Sequence, residues 1–91
     1  MDSLGLELIE SAVKVTILAN MEIPRSWTKK KKQQAVSNEI TPGRPDIDNI
    51  SKAALDALNG VVFKDDDQVV ELRVIKRYST SPALVIMVEL I

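Results

Sequence analysis

Apolar and polar residues alternate most regularly over residues 13–20 of the chain. A period of two residues is typical of a β-strand that buries one face, and Pro24 provides an end for this strand. Before it, residues 2–11 have only a weak helical spacing that Gly5 interrupts. The residues predicted to lie on the buried face of the strand are Val13, Val15, Ile17 and Ala19.

The first predicted helix lies in a lysine-rich segment. Ser26 is a suitable N-cap for a helix that runs through Trp27 to about Ser37. Its four consecutive lysines, residues 29–32, cover every direction around the helix, so only some of them can face one partner. Residues 38–44 contain a Pro-Gly pair and are predicted to form a loop.

The second predicted helix begins at Pro45 or Asp46, because proline suits the first helical position and acidic residues complement the helix dipole. Its apolar residues recur at three- and four-residue steps, which favours packing of one face on a sheet. The Asn59-Gly60 pair is a strong helix stop. The apolar residues of the packing face are Ile47, Ile50, Ala54 and Leu58.

A further strand is predicted over about residues 68–78, where Val70, Leu72 and Val74 alternate with polar residues. The last stretch, residues 83–91, is apolar at nearly every position, which is typical of a central strand buried on both faces. Together these elements predict an α+β fold, in which helices cover one face of a small mixed sheet of about three or four strands.

Composition limits the chemistry that the chain can perform. Its 91 residues allow one domain, and 45% hydrophobic with 27% charged residues is typical of a folded protein. The absence of cysteine excludes disulfides and Cys-based zinc sites, and the absence of histidine removes the commonest general base. Acid–base or metal chemistry must therefore come from Asp, Glu, Lys and Tyr, and carboxylate oxygens favour Mg²⁺, Mn²⁺ or Ca²⁺.

The sequence contains no sign of a membrane or export segment. No apolar run reaches the roughly 18–20 residues that cross a bilayer. The first residues lack the basic region of a signal peptide. We therefore expect a cytoplasmic protein without a membrane partner.

The net charge of −1 conceals an uneven distribution of charge. The segment between Pro24 and Pro45 contains six basic residues and one acidic residue, Glu39. Its net charge is therefore +5, which leaves −6 for the rest of the chain. A basic segment beside an acidic one suits a protein that binds phosphates and also holds a divalent cation. A solvated helix face with acidic caps is the alternative interpretation.

Two acidic residues, Asp46 and Asp48, lie at the start of the second predicted helix. Their side chains would diverge by about 200° in a full helix, so they can converge on one ion only if Asp46 remains non-helical. Asp48 and Lys52 are four residues apart and share a helix face. Lys52 can therefore reach a phosphate held by the same ion, or it can form an ordinary surface ion pair with Asp48.

A second acidic group consists of the adjacent residues Asp65, Asp66 and Asp67. Three neighbouring carboxylates repel one another unless a cation or a basic partner compensates. A solvated turn is the alternative, and an EF-hand is excluded because its glycine and terminal Glu are missing. Together with Asp46 and Asp48, this group can supply the oxygens of a Mg²⁺ site, since Mg²⁺ needs few protein carboxylates and retains several waters.

Residues 44–78, RPDIDNISKAALDALNGVVFKDDDQVVELRVIKRY, resemble the RusA family of Holliday-junction resolvases, which are found in prophages and bacteria. The shared elements are PDxDN, a lysine four residues after its second Asp, DALNG, and a DDxQ loop, in that order. Residues 23–32, IPRSWTKKKK, are also similar to a family segment. The resemblance covers about residues 13–91, so we expect one RusA-like domain over residues 1–91, N-terminally short relative to the family.

The resemblance assigns roles to individual residues. Asp46 and Asp48 match the carboxylates of PDxDN and Asp66 matches that of DDxQ, which implies that these three bind a catalytic metal ion. The family's functional lysine corresponds to Lys52. Two further matching residues, with a structural role or a weaker connection to the metal, are Asp56 and Asp65.

The resemblance implies a Mg²⁺-dependent endodeoxyribonuclease that resolves four-way DNA junctions by paired, symmetric cuts, with Mn²⁺ as a substitute and no small-molecule cofactor. A two-fold symmetric junction suits a homodimer. Alternatives are a non-catalytic DNA-binding or dimerising prophage remnant, and a nuclease for other branched DNA. The residues expected to contact DNA phosphates are Arg25, Lys29, Lys30, Lys31, Lys32 and Lys76.

Overall fold

The computed structural model of the chain describes residues 7–91 and has an α+β fold, as predicted. A three-stranded mixed sheet packs with helices on one face. The segment with weak helical spacing, residues 2–11, lies partly outside the described residues, and residues 7–11 are not helical. The elements in chain order are β1 (Val13–Glu22), α1 (Lys29–Val36), α2 (Ile47–Leu58), a 3₁₀ turn (Asp66–Gln68), β2 (Val69–Ser79) and β3 (Ala83–Leu90).

The centre of the sheet is β1, which pairs with β2 in parallel on one side and with β3 in antiparallel on the other. Its predicted buried face is confirmed, because Val13, Val15 and Ile17 are fully buried and Ala19 is 4% exposed. Alternate residues of a strand point to opposite faces. One face of β1 therefore carries the hydrophobic core of the domain.

The prediction that residues 83–91 form a central, doubly buried strand is wrong. β3 lies at an edge of the sheet, and most of its side chains are exposed. The connection from β2, residues 80–82, passes the end of β1, so β1 lies between the two other strands. Because the helices cover only one face, the apolar side chains on the other face of β3 meet solvent.

β2 is the other edge strand, and its apolar residues are less buried than their alternation suggests. Val74 packs against the core, whereas Val70 and Leu72 are 63% and 42% exposed. The register between β1 and β2 is irregular next to Val13 and Lys14, which takes Val70 out of the regular alternation. An edge strand also has no neighbour to cover its outer side.

α2 packs on β1 through Ile50 and Ala54, both buried. Ile47 was predicted on the same face but is 47% exposed, because it lies in the first turn. The helix ends where the sequence predicts, with Asn59 as C-cap and Gly60 at a φ of 76°. A positive φ is readily adopted only by glycine, which explains this residue at the helix end.

Phe63 is fully buried, although in the sequence it only ends a short apolar run. Its carbonyl accepts a hydrogen bond from the Gly60 amide at 2.8 Å, and the residue forms a β-bridge with Ile9. The Ile9 carbonyl in turn accepts from the Lys64 amide at 3.3 Å. The chain is therefore held in place just before residues 65–68, which form the acidic turn.

α1 begins later than predicted, and Ser26 is not its N-cap. The cap is Thr28, whose hydroxyl accepts a hydrogen bond from the Lys31 amide at 3.2 Å. Ser26 lies instead in a turn over residues 24–27 that precedes the helix. Within residues 7–91, neither helix has the length and apolar character that a membrane crossing requires.

We expect Ile17→Ala to lower the free energy of unfolding by about 2–5 kcal/mol, because truncation of a fully buried side chain leaves a cavity. Val70→Ala is the control, since Val70 is 63% exposed and its truncation should cost less than about 1 kcal/mol. Urea denaturation of both variants measures the difference. Equal losses would contradict the location of the core.

Candidate functional site

The N-cap residue of α2, Asp46, has a carboxylate that makes no capping hydrogen bond. Asp46 is the N-cap and keeps extended backbone angles, φ −68° and ψ 154°, which is the non-helical geometry that convergence with Asp48 requires. N-cap aspartates usually accept a hydrogen bond from the first helical amides, but the Asp46 side chain does not. Asp48 lies in the first turn, and its Oδ1 accepts from the Asn49 amide at 3.0 Å. Both carboxylates are exposed and can accept a ligand.

Three charged residues, Asp48, Lys52 and Asp56, follow one another at four-residue intervals along an exposed side of α2. Each interval corresponds to about 6 Å along the helix axis. Among residues 7–91, Lys52 has no salt-bridge partner, so the possible surface pair with Asp48 is not formed. The Lys52 ammonium is therefore available to an anionic ligand beside the start of the helix.

The acidic turn is fastened by Gln68, a residue whose importance sequence reasoning missed. Its Oε1 accepts from the Asp65 amide at 2.9 Å, while its Nε2 donates to the carbonyls of Ile9 and Ser11 at 2.8 and 2.9 Å. The two carbonyls precede β1 and are 59 and 57 residues away along the chain. The glutamine of DDxQ was the only signal in the sequence, and it did not reveal these partners.

The carboxyls of Asp65 and Asp66 share a hydrogen bond, which raises the pKa of Asp66 and lowers the pKa of Asp65. Desolvation and the negative charges of Asp65, Asp67 and Asp56 raise the pKa of Asp66 further. The Asp67 amide, as a donor to Asp65, helps to lower the pKa of Asp65. The turn thus concentrates negative charge, which a divalent cation would compensate.

The structure does not bring the three predicted metal ligands into one cluster. Within the described part of the chain, no group of three or more acidic side chains is arranged to hold a metal ion. Asp46 and Asp48 belong to the start of α2 and Asp66 to the turn, while Asp56 is the helix carboxylate whose charge acts on Asp66. The oxygen donors fit Mg²⁺ chemically, but they form two separate acidic groups.

Basic residues predicted to contact DNA line a cavity of about 540 Å³ beside α1. Arg25, Lys29 and Lys32 contribute to its wall, and the Arg25 side chain is 94% exposed with its Nε 4.0 Å from a Glu22 carboxylate oxygen. Lys30 is exposed on the same helix. The apolar part of the wall is formed by Ile23, Val36 and Pro82.

Two other predicted DNA contacts have partners within the protein. The Lys31 ammonium lies 4.2 Å from the centre of the Trp27 ring, a cation–π contact. Trp27 is half-buried and meets Tyr78 edge-on, with ring centres 5.3 Å apart, which joins the start of α1 to β2. The Lys76 ammonium binds the backbone of the loop before α2. DNA contact by Lys31 and Lys76 stays a prediction.

The sequence profile of the family described as endodeoxyribonuclease RusA matches residues 2–89. The chain therefore belongs to the RusA family, whose activity is that of a Holliday-junction resolvase nuclease. Its members are generally dependent on a divalent metal ion.

One curated relative is the uncharacterized protein YqaN of Bacillus subtilis (strain 168). It is 38% identical over 84 residues, which cover 89% of this chain and 59% of the relative. The chain thus matches little more than half of the length of that protein. No solved structure shows significant similarity to the chain.

We expect the Asp66 carboxyl to titrate above the ordinary value of 3.8 and the Asp65 carboxyl below it, because the two share a hydrogen bond. In Asp65→Asn, the pKa of Asp66 should fall, since a like charge is lost and an amide donor replaces the carboxyl. Carboxyl ¹³C NMR titration measures both values. An unchanged pKa of Asp66 in the variant would disprove this coupling.

Proposed function

We propose that this protein is a Mg²⁺-dependent endonuclease that resolves four-way DNA junctions by paired, symmetric hydrolysis of phosphodiester bonds. The observation that carries the proposal is the match to the RusA family over residues 2–89. Mn²⁺ is expected to replace Mg²⁺, and no small-molecule cofactor is required. We also propose that the protein acts in the cytoplasm, because the curated relative is bacterial and bacterial DNA lies in that compartment.

The residues that would hold the cation are Asp46, Asp48 and Asp66. The free carboxylate of Asp46 at the N-cap supports this assignment, as does the crowding of negative charge around Asp66. Because carboxylates repel one another, the two acidic groups would converge only around a positive ion. The ion would supply Lewis acidity and positive charge beside the scissile phosphate.

Lys52 would act on the phosphate itself. It lies one turn after Asp48 on an exposed side of α2 and has no salt-bridge partner among residues 7–91. Its ammonium can therefore donate hydrogen bonds to a phosphate oxygen as negative charge develops there. A fixed positive charge at that point stabilises the transition state more than the bound substrate.

The basic side of the protein would hold the DNA backbone. Arg25, Lys29 and Lys32 surround one cavity and Lys30 is exposed nearby, so their charges can be neutralised together by adjacent phosphates. Phosphate contacts fix the position of the duplex without reading its bases. Such contacts suit a nuclease that recognises the branched shape of its substrate.

The main alternative is a non-catalytic protein that binds branched DNA. The separation of the two acidic groups favours it, because no set of three carboxylates within residues 7–91 is arranged to hold a metal ion. A cleavage assay separates the two proposals directly.

The proposal includes a homodimer, formed through β3. Among residues 7–91, no strand pairs with the outer edge of β3, and apolar residues on both of its faces are exposed. Proteins normally cover or interrupt such an edge, and a second copy of the strand would cover it. Two identical active sites related by a two-fold axis would also match the two symmetric cuts. The exposed apolar residues of β3 include Leu84 (58%), Val85 (37%), Met87 (43%) and Leu90 (66%).

We expect the purified protein to make paired, symmetric nicks in a labelled synthetic four-way junction with Mg²⁺ and none with EDTA. In Asp48→Asn, cutting should fall by about 100-fold or more, because a ligand of the ion is lost. Junction binding should be retained or strengthened, since the variant removes a charge that repels phosphate. A gel assay of nicking and a binding titration measure the two effects.

Glu39→Gln is the matched control for Asp48→Asn. Glu39 is another exposed carboxylate, in the loop after α1, and belongs to neither acidic group. Its variant should cut at the normal rate. Junction binding without nicks at any Mg²⁺ or Mn²⁺ concentration would support the non-catalytic alternative. Unchanged cutting by Asp48→Asn would reject the assigned metal site.

We expect Val85→Lys to weaken self-association at least about tenfold, because a charged side chain replaces an apolar residue at the proposed interface. Val61→Lys is the control, since Val61 is 65% exposed and lies in the turn after α2, outside β3. Sedimentation equilibrium of the wild type and both variants measures the dissociation constants. A monomeric wild type would refute the dimer.

A further inference from the structure

Lys76 lies on β2, opposite Ala19 of β1, and is half-buried. Its Nζ donates hydrogen bonds to two backbone carbonyls, that of Gly43 at 2.7 Å and that of Pro45 at 3.1 Å. A lysine ammonium has three donors, so two of them are used within the protein. Hydrogen bonds from a charged donor are shorter and stronger than those between neutral groups.

The two carbonyls that Lys76 binds lie directly before α2, so these hydrogen bonds restrain the start of the helix. The Pro45 carbonyl belongs to the peptide unit that joins Pro45 to Asp46. A peptide unit is planar from one Cα to the next, so a bond to this oxygen restricts the position of the Asp46 Cα. The second bond, to Gly43, holds the loop two residues earlier. Lys76 therefore ties the start of α2 to the sheet.

We propose that Lys76 is a positioning residue, which sets Asp46 at the start of α2 for cation binding, and is not a contact to DNA phosphate. This inference rests on the proposed function, because it concerns one of the three carboxylates assigned to the cation. Asp46 makes no capping hydrogen bond that would hold its side chain, so the position of its backbone, set at Pro45, limits where its carboxylate can reach.

The test compares three variants of the full chain. Lys76→Met removes the ammonium and keeps the length of the side chain, while Lys76→Arg keeps the charge and the donors. Arg77→Met is the matched control, because it removes one positive charge from the next residue of β2. Alternate strand residues point to opposite faces, and the Arg77 guanidinium bonds to Asn20 at 2.9 Å, away from the loop before α2.

Two readouts are independent of nuclease activity. The first is the affinity for Mn²⁺, measured by calorimetry on the protein without DNA; loss of a group that orients a metal ligand lowers metal affinity by about 10-fold or more. The second is the ¹⁵N relaxation order parameter of the Asp46 amide, which reports its motion without any metal. Lys76→Met should show both effects, Arg77→Met neither, and Lys76→Arg should recover most of the loss.

Junction binding in EDTA distinguishes positioning from phosphate contact. Lys76→Met and Arg77→Met each remove one charge, so both should weaken binding by a similar factor with a similar dependence on salt. A clearly larger loss in Lys76→Met, with Mn²⁺ affinity and Asp46 order unchanged, would establish a phosphate contact and overturn the proposal. An unchanged order parameter of Asp46 in Lys76→Met overturns it by itself.

The same measurements distinguish failure of the proposed nuclease function from failure of the positioning role of Lys76. A wild type that binds no Mn²⁺ and cuts no junction would reject the nuclease, while the order parameter of Asp46 would still decide whether Lys76 positions it. If Lys76→Met does not fold, the ¹⁵N signal of the Lys76 ammonium in the wild type decides. Slow solvent exchange that junction DNA leaves unchanged supports the proposal, and exchange as fast as that of Lys30 overturns it.

Discussion

The burial of one face of β1 beneath α2 is the interaction on which the rest of the structure depends. Ile17 and its neighbours on β1 pack against Ile50 and Ala54, and this contact locates both ends of α2. The first end presents the carboxylate pair, while the second leads through Phe63 to the acidic turn. Because protein interiors are close-packed, a shift of α2 on β1 would move both acidic groups.

The two acidic groups are held to the sheet by different means, and in each case the long-range contact is made by a side chain that is not a carboxylate. Gln68 fastens the turn to the segment before β1 through side-chain hydrogen bonds, and Lys76 fastens the loop before α2 to β2. The backbones of both groups are thus held in place, while the Asp46 side chain makes no capping hydrogen bond and, among residues 7–91, the Asp66 carboxyl bonds only to that of Asp65. Such an arrangement limits the entropy that cation binding would cost while it leaves the oxygens accessible.

Periodicity predicted the elements better than it predicted their places in the sheet. The alternation of β1 and the three- and four-residue spacing of α2 report burial directly, so the core was largely foreseeable. The prediction of a central strand over residues 83–91 is wrong because apolar residues on both faces indicate only that something covers the strand. The sequence does not say whether the same chain provides that cover. Thr28 and Ser26 both suit an N-cap, and only the turn before α1 decides between them.

The sequence offers candidate site residues by type, but it does not predict how the fold assembles the segments that carry them. PDxDN and DDxQ mark the candidate carboxylates. The partners of Gln68, however, lie 57 and 59 residues away along the chain, and those of Lys76 lie 31 and 33 residues away. β1 likewise receives both neighbours from afar, since Val15 pairs with Leu72 and with Val88. Pairing over such separations is slow, because the entropy of closing a long loop is lost before any contact compensates for it. Asp46 and Asp66 both lie inside the loop that β1 and β2 close. The rate of sheet formation, and not that of helix formation, would therefore determine how soon a newly made chain could bind the cation that we propose.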